Sequence, residues 1–269
     1  VSTPADAAWF PPCRTGNPEA TVVFADAAQL FCLPHAAAGA SVYWEWAPLL
    51  APDVAIVPIQ LPGRESRYKE PLRRSVFALT ADLIKPLADR TRSDFALFGH
   101  SMGALIAYEL ARALVARGTP PRRLFVSGQR APHLAPPRRD VHLLPAPELL
   151  AVMTELEGTS PEVLAQPELV ELLLPVMRAD LEVCEAYNHA HEAALPVPIT
   201  ALGGLSDPSV SVEEMRAWQH LTSAGFEAKF FPGGHFYLHT ACDDVIAALL
   251  ARLPSPPLPA SHLTAAEES

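Results

Sequence analysis

The sequence predicts an α/β protein with a mainly parallel central sheet flanked by helices. Two observations lead there. Short apolar segments recur at wide spacing, over 29–33, 54–59, 95–98, 124–127, 199–202 and 229–231, with room for a helix in most intervals, an alternation that belongs to βα units. The run at 95–98 is continuously apolar, as in a strand buried on both faces. Helices are expected over 75–89, 104–116, 213–224 and 240–253. In such sheets functional groups gather beyond the carboxyl ends of the strands.

The chain has 269 residues, of which 49% are hydrophobic, and shows no internal repeat; that is ample for one sizeable core. We read residues 1–25 as an N-terminal extension, 26–253 as the main domain and 254–269 as a flexible proline-rich tail. Thirty acidic residues against twenty basic ones give a net charge of -10, which argues against nucleic acid as a partner. Cys13, Cys32, Cys184 and Cys242 form no C-x-x-C pair and are expected to be reduced. The N-terminus lacks a basic segment followed by an apolar core, and no stretch has a membrane-spanning length free of charges and helix breakers. A cytoplasmic, soluble monomer with no membrane partner is the expectation.

One interval is too long for a simple crossover. Residues 143–196 are leucine-rich, helical in pattern and punctuated by Gly158, Pro161, Pro167 and Pro175. Between Leu169 and Val183 the pattern is apolar around much of the circumference, which requires partners on several sides. Packing into the main core would satisfy it; we expect instead a helical lid over the face at the carboxyl ends of the strands.

The stretch "FALFGHSMGALIAYELARAL" passes from the 95–98 run through Gly99-His100-Ser101-Met102-Gly103 into good helix formers. G-x-S-x-G between a strand and a helix is a nucleophile elbow, a strained turn that lifts the serine clear of the sheet. Gly118 supplies a helix stop. Ser101 is therefore the candidate nucleophile.

A serine hydroxyl needs a base to take its proton and a carboxylate to orient that base. In α/β hydrolases these follow in the order serine, acid, histidine. "GGLSDPSV" places Asp207 just past the fifth apolar segment, and "PGGHFYLH" places His235 just past the sixth. Singly, each could be an ordinary loop residue; three in the required order, each beyond a strand, make a triad. His100 is assigned at most a supporting role, and His239 is the weaker base because it enters the last helix. An oxyanion hole needs two N–H donors: Met102, after the nucleophile, and Ala36, in the "LFCLPHAAAGAS" loop. No metal site is expected, since His189 and His191 are two apart and no H-E-x-x-H occurs. There is no dinucleotide fingerprint or P-loop either.

The set "LFCLPHAAAGAS", "LPGRESR", "FGHSMGALIAYELA", "PELVELLLPVMRADLEVCEAY", "GGLSDPSV" and "FPGGHFYL" resembles the stand-alone type II thioesterases of polyketide and nonribosomal peptide assembly lines. The resemblance covers residues 30–253. It implies an α/β-hydrolase fold with a helical lid, Ser101, His235 and Asp207 as the triad, and Ala36 and Met102 as oxyanion donors. It also implies hydrolysis of acyl groups from the phosphopantetheine arm of carrier proteins, clearing stalled or aberrant units, with no cofactor beyond the arm the substrate brings. The sequence departs from the family at Ala37 and Ala38, where glycines are common. For Arg64 we expect a structural ion pair rather than contact with the phosphopantetheine phosphate. Arg122, Arg123, Arg138 and Arg139 are expected to form a local basic dock for an acidic carrier protein. The competing readings are a chain-terminating thioesterase for medium or long acyl groups, an oxygen-ester hydrolase, and a non-catalytic carrier-protein-binding fold.

Overall fold

The computed structural model describes residues 7–13, 27–92, 94–135, 140–155, 165–190 and 193–253. Six parallel strands form one sheet in the order β2-β1-β3-β4-β5-β6. They are β1 (Ala28–Leu33), β2 (Val54–Pro58), β3 (Phe95–His100), β4 (Leu124–Ser127), β5 (Ile199–Gly204) and β6 (Phe226–Phe231). Every residue of β1, β3, β4 and β5 is buried, which is why these segments read as unbroken apolar runs.

Helices cover both faces. Between the first three strands lie the short α1 (Trp46–Leu50) and α2 (Val76–Arg90), and α3 (Met102–Ala116) follows β3. One core layer packs α2 and α3 through Leu79, Leu83, Leu105 and Leu110 against Phe31, Leu97 and Val126; the other packs Tyr43, Trp46 and Phe98 with Val245 and Leu249. Trp9 and Phe10, in the segment set outside the main domain by the sequence, join the first layer. Trp9 O accepts the N–H of Gln60 at 2.8 Å, and the Arg67 guanidinium lies 4.0 Å over the Trp9 ring. The tail at 254–269 lies outside the described residues.

Between β4 and β5 the chain inserts α4 (Ala146–Glu155) and α5 (Pro167–Glu185). Leu149 and Met153 of α4 and Met177 of α5 make a separate small core that touches Ala37, in the loop after β1. Further along α5, Val183 joins the main core. The expected all-round burial holds only in the second half of α5, where Val176, Met177, Ala179 and Val183 are buried; Leu169 and Leu172 in its first half are exposed.

Two predicted helices differ from expectation. The first becomes α6 (Val212–Arg216), opened by a Ser211/Glu214 capping box, and a 3₁₀ stretch, Ala217–Leu221. In that tighter stretch Trp218 turns fully inward and its Nε1–H donates to Gln129 O at 2.7 Å. At the second, a one-turn helix outside the expected range, α7 (Tyr237–Thr240), precedes α8 (Cys242–Leu250), which lies within the expected 240–253. Asp243 and Asp244 in the first turn of α8 are carboxylates suited to a new helix N-terminus. No described helix is long and apolar enough to cross a membrane.

Candidate active site

Ser101 stands between β3 and α3 with φ 52 and ψ -120, a backbone conformation that L-residues avoid and that is found where surrounding structure over-determines it. Two glycines make it possible. A Cβ on Gly99 would lie 2.1 Å from Gly103 O, and one on Gly103 would lie 2.3 Å from Leu33 O. The start of α3 therefore rests directly on the carboxyl end of β1. That contact brings the loop carrying Ala36 alongside the N-terminus of α3, where Met102 N–H is one of the helix's unpaired donors.

Asp207 and His235 leave the carboxyl ends of β5 and β6, and the structure joins them directly. His235 Nδ1–H donates to Asp207 Oδ2 at 2.8 Å, with the side chains only 7% and 1% exposed. The other carboxylate oxygen accepts Ser209 N–H at 2.8 Å, Ser209 Oγ–H at 2.7 Å and Val210 N–H at 3.3 Å. Burial alone would push the Asp207 carboxyl up, but the His235 hydrogen bond and charge and the two Ser209 donors together hold it below the usual carboxylate range. Ser209 escaped the sequence reading, although Asp-Pro-Ser is a turn in which an aspartate accepts from the N–H two residues on.

His100 is the link between Ser101 and this pair. Its ring lies 5.0 Å from the His235 ring. Completely buried, it bonds through Nδ1 to Ser127 Oγ at 2.9 Å, and Ser127 Oγ bonds in turn to Tyr237 OH at 2.6 Å. Burial, followed by the nearby His235, His35 and His239, keeps the imidazole neutral well below its ordinary pKa. The Ser101 main-chain N–H donates to Ser127 O at 2.8 Å, so one residue of β4 holds both the nucleophile's backbone and its neighbouring ring. The Ser101 hydroxyl has no hydrogen bond to His235 among the described residues. His239 lies in α7 with its ring stacked on Phe236, and it is His235 that pairs with Asp207.

In the loop after β1, Ala37 takes φ 64, the left-handed region where a glycine would be unstrained. Its N–H donates to Asp180 Oδ2 at 2.7 Å. Arg64 forms the expected structural ion pair, forked onto both oxygens of Asp180 with Nη2 2.8 Å from Oδ1. Ala38 is buried and its carbonyl accepts Arg64 Nη1–H at 3.2 Å. The two added methyl groups are thus accommodated by anchoring the loop.

Of the four arginines expected to form a basic dock, the two described ones do not stand beside this site. Arg122 and Arg123 precede β4, at the opposite end of the sheet from Ser101; Arg122 pairs with Asp94 at 2.6 Å and Arg123 donates to Thr200 Oγ1 at 2.8 Å. Their position follows from a parallel sheet, whose amino and carboxyl strand ends face opposite ways. Arg138 and Arg139 lie outside the described residues, as does His191. His189 Nε2 lies 3.1 Å from Tyr108 OH. Asp140, His142 and Glu185 bring donor atoms within 4.8 Å of one another, but Glu185 already accepts from Val141 N–H and pairs with His142. All four cysteines are free thiols.

Beside α3, the loop after β4 and the end of α5 enclose a cavity of about 550 Å³ lined by Leu105, Gln129, Arg130, Leu134, Tyr187 and Asn188, among others. Leu105 is one helical turn past Ser101 and Gln129 follows Gly128, whose Cβ position is 3.4 Å from the His235 ring.

A family model described as a thioesterase domain matches residues 28–253. Among curated proteins, thioesterase PikA5 of Streptomyces venezuelae is 40% identical over 238 residues, covering 86% of this chain and 84% of its own length. Linear gramicidin dehydrogenase LgrE of Brevibacillus parabrevis is 38% identical over 230 residues, covering 84% of this chain and 88% of its own. Among solved structures, the type II thioesterase BorB from the borrelidin biosynthetic cluster superposes with a TM-score of 0.82 at 37% identity, covering 92% of this chain and 98% of that one. RedJ, the thioesterase of the prodiginine pathway in Streptomyces coelicolor, gives 0.81 at 39%, covering 85% and 92%. With an all-parallel sheet, a serine elbow and these relatives, the chain belongs to the thioesterase family, in the type II branch of polyketide and nonribosomal peptide biosynthesis.

Proposed function

We propose that this thioesterase hydrolyses acyl groups from the phosphopantetheine arm of carrier proteins, with Ser101 as nucleophile, His235 as base and Asp207 as its orienter. The observation that supports the reading is a strained Ser101 elbow at the carboxyl end of β3, beside a buried Asp207–His235 pair at the carboxyl ends of β5 and β6 whose histidine ring lies 5.0 Å from that of His100. Because Asp207 accepts from Nδ1, the lone pair of the neutral ring is on Nε2. Ser101 Oγ attacks the thioester carbonyl while His235 Nε2 takes its proton, and the oxyanion rests on Met102 N–H and Ala36 N–H. The C–S bond then breaks and the thiol leaves with the proton from His235. With a pKa of about 8.5, a thiol leaves with less acid assistance than an alcohol or amine. Water deprotonated by His235 then attacks the acyl-serine, releasing the free acid and restoring Ser101.

Helices α4 and α5 act as the lid in this reading, and the cavity beside Leu105 offers room for the acyl or pantetheine chain. All steps use side chains, backbone donors and water. The chain lacks the G-x-G-x-x-G pattern of a dinucleotide site, so the hydrolytic reading is preferred to the reaction in the name of LgrE. The assigned role is editing: the removal of short, stalled or aberrant acyl units. Release of acetyl and propionyl groups from a carrier protein, measured against a long acyl chain on the same carrier, tests it. Editing predicts faster release of the short groups; a preference for the long chain would instead indicate chain termination.

A further inference from the structure

Asp180 lies in the middle of α5, 116 residues from Arg64 and far in sequence from every residue assigned to chemistry, yet its side chain is only 1% exposed. Both oxygens are committed. Arg64 forks across them, and Oδ2 also accepts Ala37 N–H at 2.7 Å. Arg64 in turn donates from Nη1 to Ala38 O and from Nε to Pro62 O. Its own carbonyl accepts from Gln60 Nε2, whose Oε1 accepts Ala40 N–H at 3.1 Å. The loop after β1 is therefore held at three points, Ala37 N–H, Ala38 O and Ala40 N–H, and the acceptor at the first belongs to the inserted helix.

That first point adjoins the oxyanion donor. Ala37 N–H shares a peptide plane with Ala36 C=O, whose oxygen is 3.0 Å from His35 Nδ1. The next plane back, which carries Ala36 N–H, is held through His35 O, the acceptor of Ala38 N–H at 3.2 Å, so the direction of Ala36 N–H depends on how the Ala37 and Ala38 stretch is anchored. Ala37 needs the grip because its φ of 64 is one that an alanine leaves readily.

We propose that Asp180 is a positioning residue for catalysis: through Ala37 N–H it aims the Ala36 N–H at the oxyanion, so that the inserted helix α5 sets the oxyanion hole. The inference rests on the thioesterase reading and on Ala36 as a donor. It separates Asp180 from a purely structural ion pair, because an aiming role affects the tetrahedral state and not the bound substrate.

Two pantetheine analogues distinguish these roles. A trifluoromethyl ketone accepts Ser101 Oγ at its carbonyl carbon, the proton passes to His235 and the carbonyl electron pair becomes an oxyanion. A thioether binds but forms no oxyanion. For Asp180→Asn, kcat and ketone affinity are expected to fall together by about ten- to a hundredfold, somewhat less than the 10² to 10³ typical for deleting an oxyanion donor, with KM and thioether affinity unchanged. Should that variant fail to fold, Asp180→Glu, which keeps the charge but moves the oxygen away from Ala37 N–H, is expected to show the same selective loss. Equal losses for both analogues, or no loss for either, would overturn the inference while the wild-type chain still hydrolyses thioester. A wild-type chain that binds the thioether but neither binds the ketone nor turns over thioester would overturn the thioesterase reading and this inference with it.

Discussion

Asp207 Oδ2 accepts the Nδ1–H of His235 at 2.8 Å, and this one bond leaves Nε2 of the neutral ring as the basic nitrogen. Asp207→Asn removes the preference, because an amide can equally donate to a bare Nδ1 and move the proton to Nε2. The expected result is a fall in kcat of about 10⁴-fold, the size seen when a triad aspartate becomes asparagine, with carrier binding retained. Single-turnover acyl release read alongside binding to the same carrier checks it.

The strain at Ser101 sets stability against activity. Its φ of 52 with ψ -120 is a conformation that glycine adopts freely, and holding a non-glycine residue in such a region costs about 1–3 kcal/mol. Ser101→Gly is therefore expected to be inactive yet no less stable than the parent. Calorimetry checks it, and a Tm clearly below the parent's would contradict the strain argument.

Gly103 tests the contact between α3 and β1. Because a Cβ there would lie 2.3 Å from the Leu33 carbonyl oxygen, Gly103→Ala must separate the two elements that present Met102 and Ala36. Losses of both stability and kcat are expected, with overpacking of this kind costing about 1–3 kcal/mol. Thermal unfolding and steady-state hydrolysis measure the two losses separately.

Acid should destabilise the fold before it protonates Asp207. His35 is lowered to about 4, chiefly by burial with help from the His235, His239 and Arg64 charges and against the Ala36 hydrogen bond, and His100 is lowered by burial and its histidine neighbours. The unfolded chain therefore binds protons at these rings from about pH 6.5 downward while the folded chain does not. Stability is expected to fall as pH drops from 6.5 toward 4. The depressed Asp207 carboxyl adds a loss only at lower pH, as it is protonated. A Tm series from pH 8 to 4 checks this; His100→Asn, which removes one titrating ring, should flatten the slope.

Much of this architecture was legible because it is local. Unbroken apolar runs marked the buried parallel strands, and G-x-S-x-G between a run and a helix marked the elbow. Asp207 and His235 followed from their places just beyond strand ends. The Arg64–Asp180 fork and the Ser127–Tyr237 hydrogen bond span 116 and 110 residues, and no periodicity reports which distant polar groups will be buried together. The single turn at Tyr237–Thr240 was not read because four residues are too few to show a helical period. The placing of Arg122 and Arg123 away from Ser101 was not legible, because a basic cluster in sequence does not say at which end of a parallel sheet it will stand.

The most direct test is the rate at which an acetyl group leaves a phosphopantetheinylated carrier protein in the presence of the chain, compared with Ser101→Ala. The account predicts catalysed release by the parent and release no faster than the uncatalysed background with Ser101→Ala. Equal release by both would contradict Ser101 as the nucleophile.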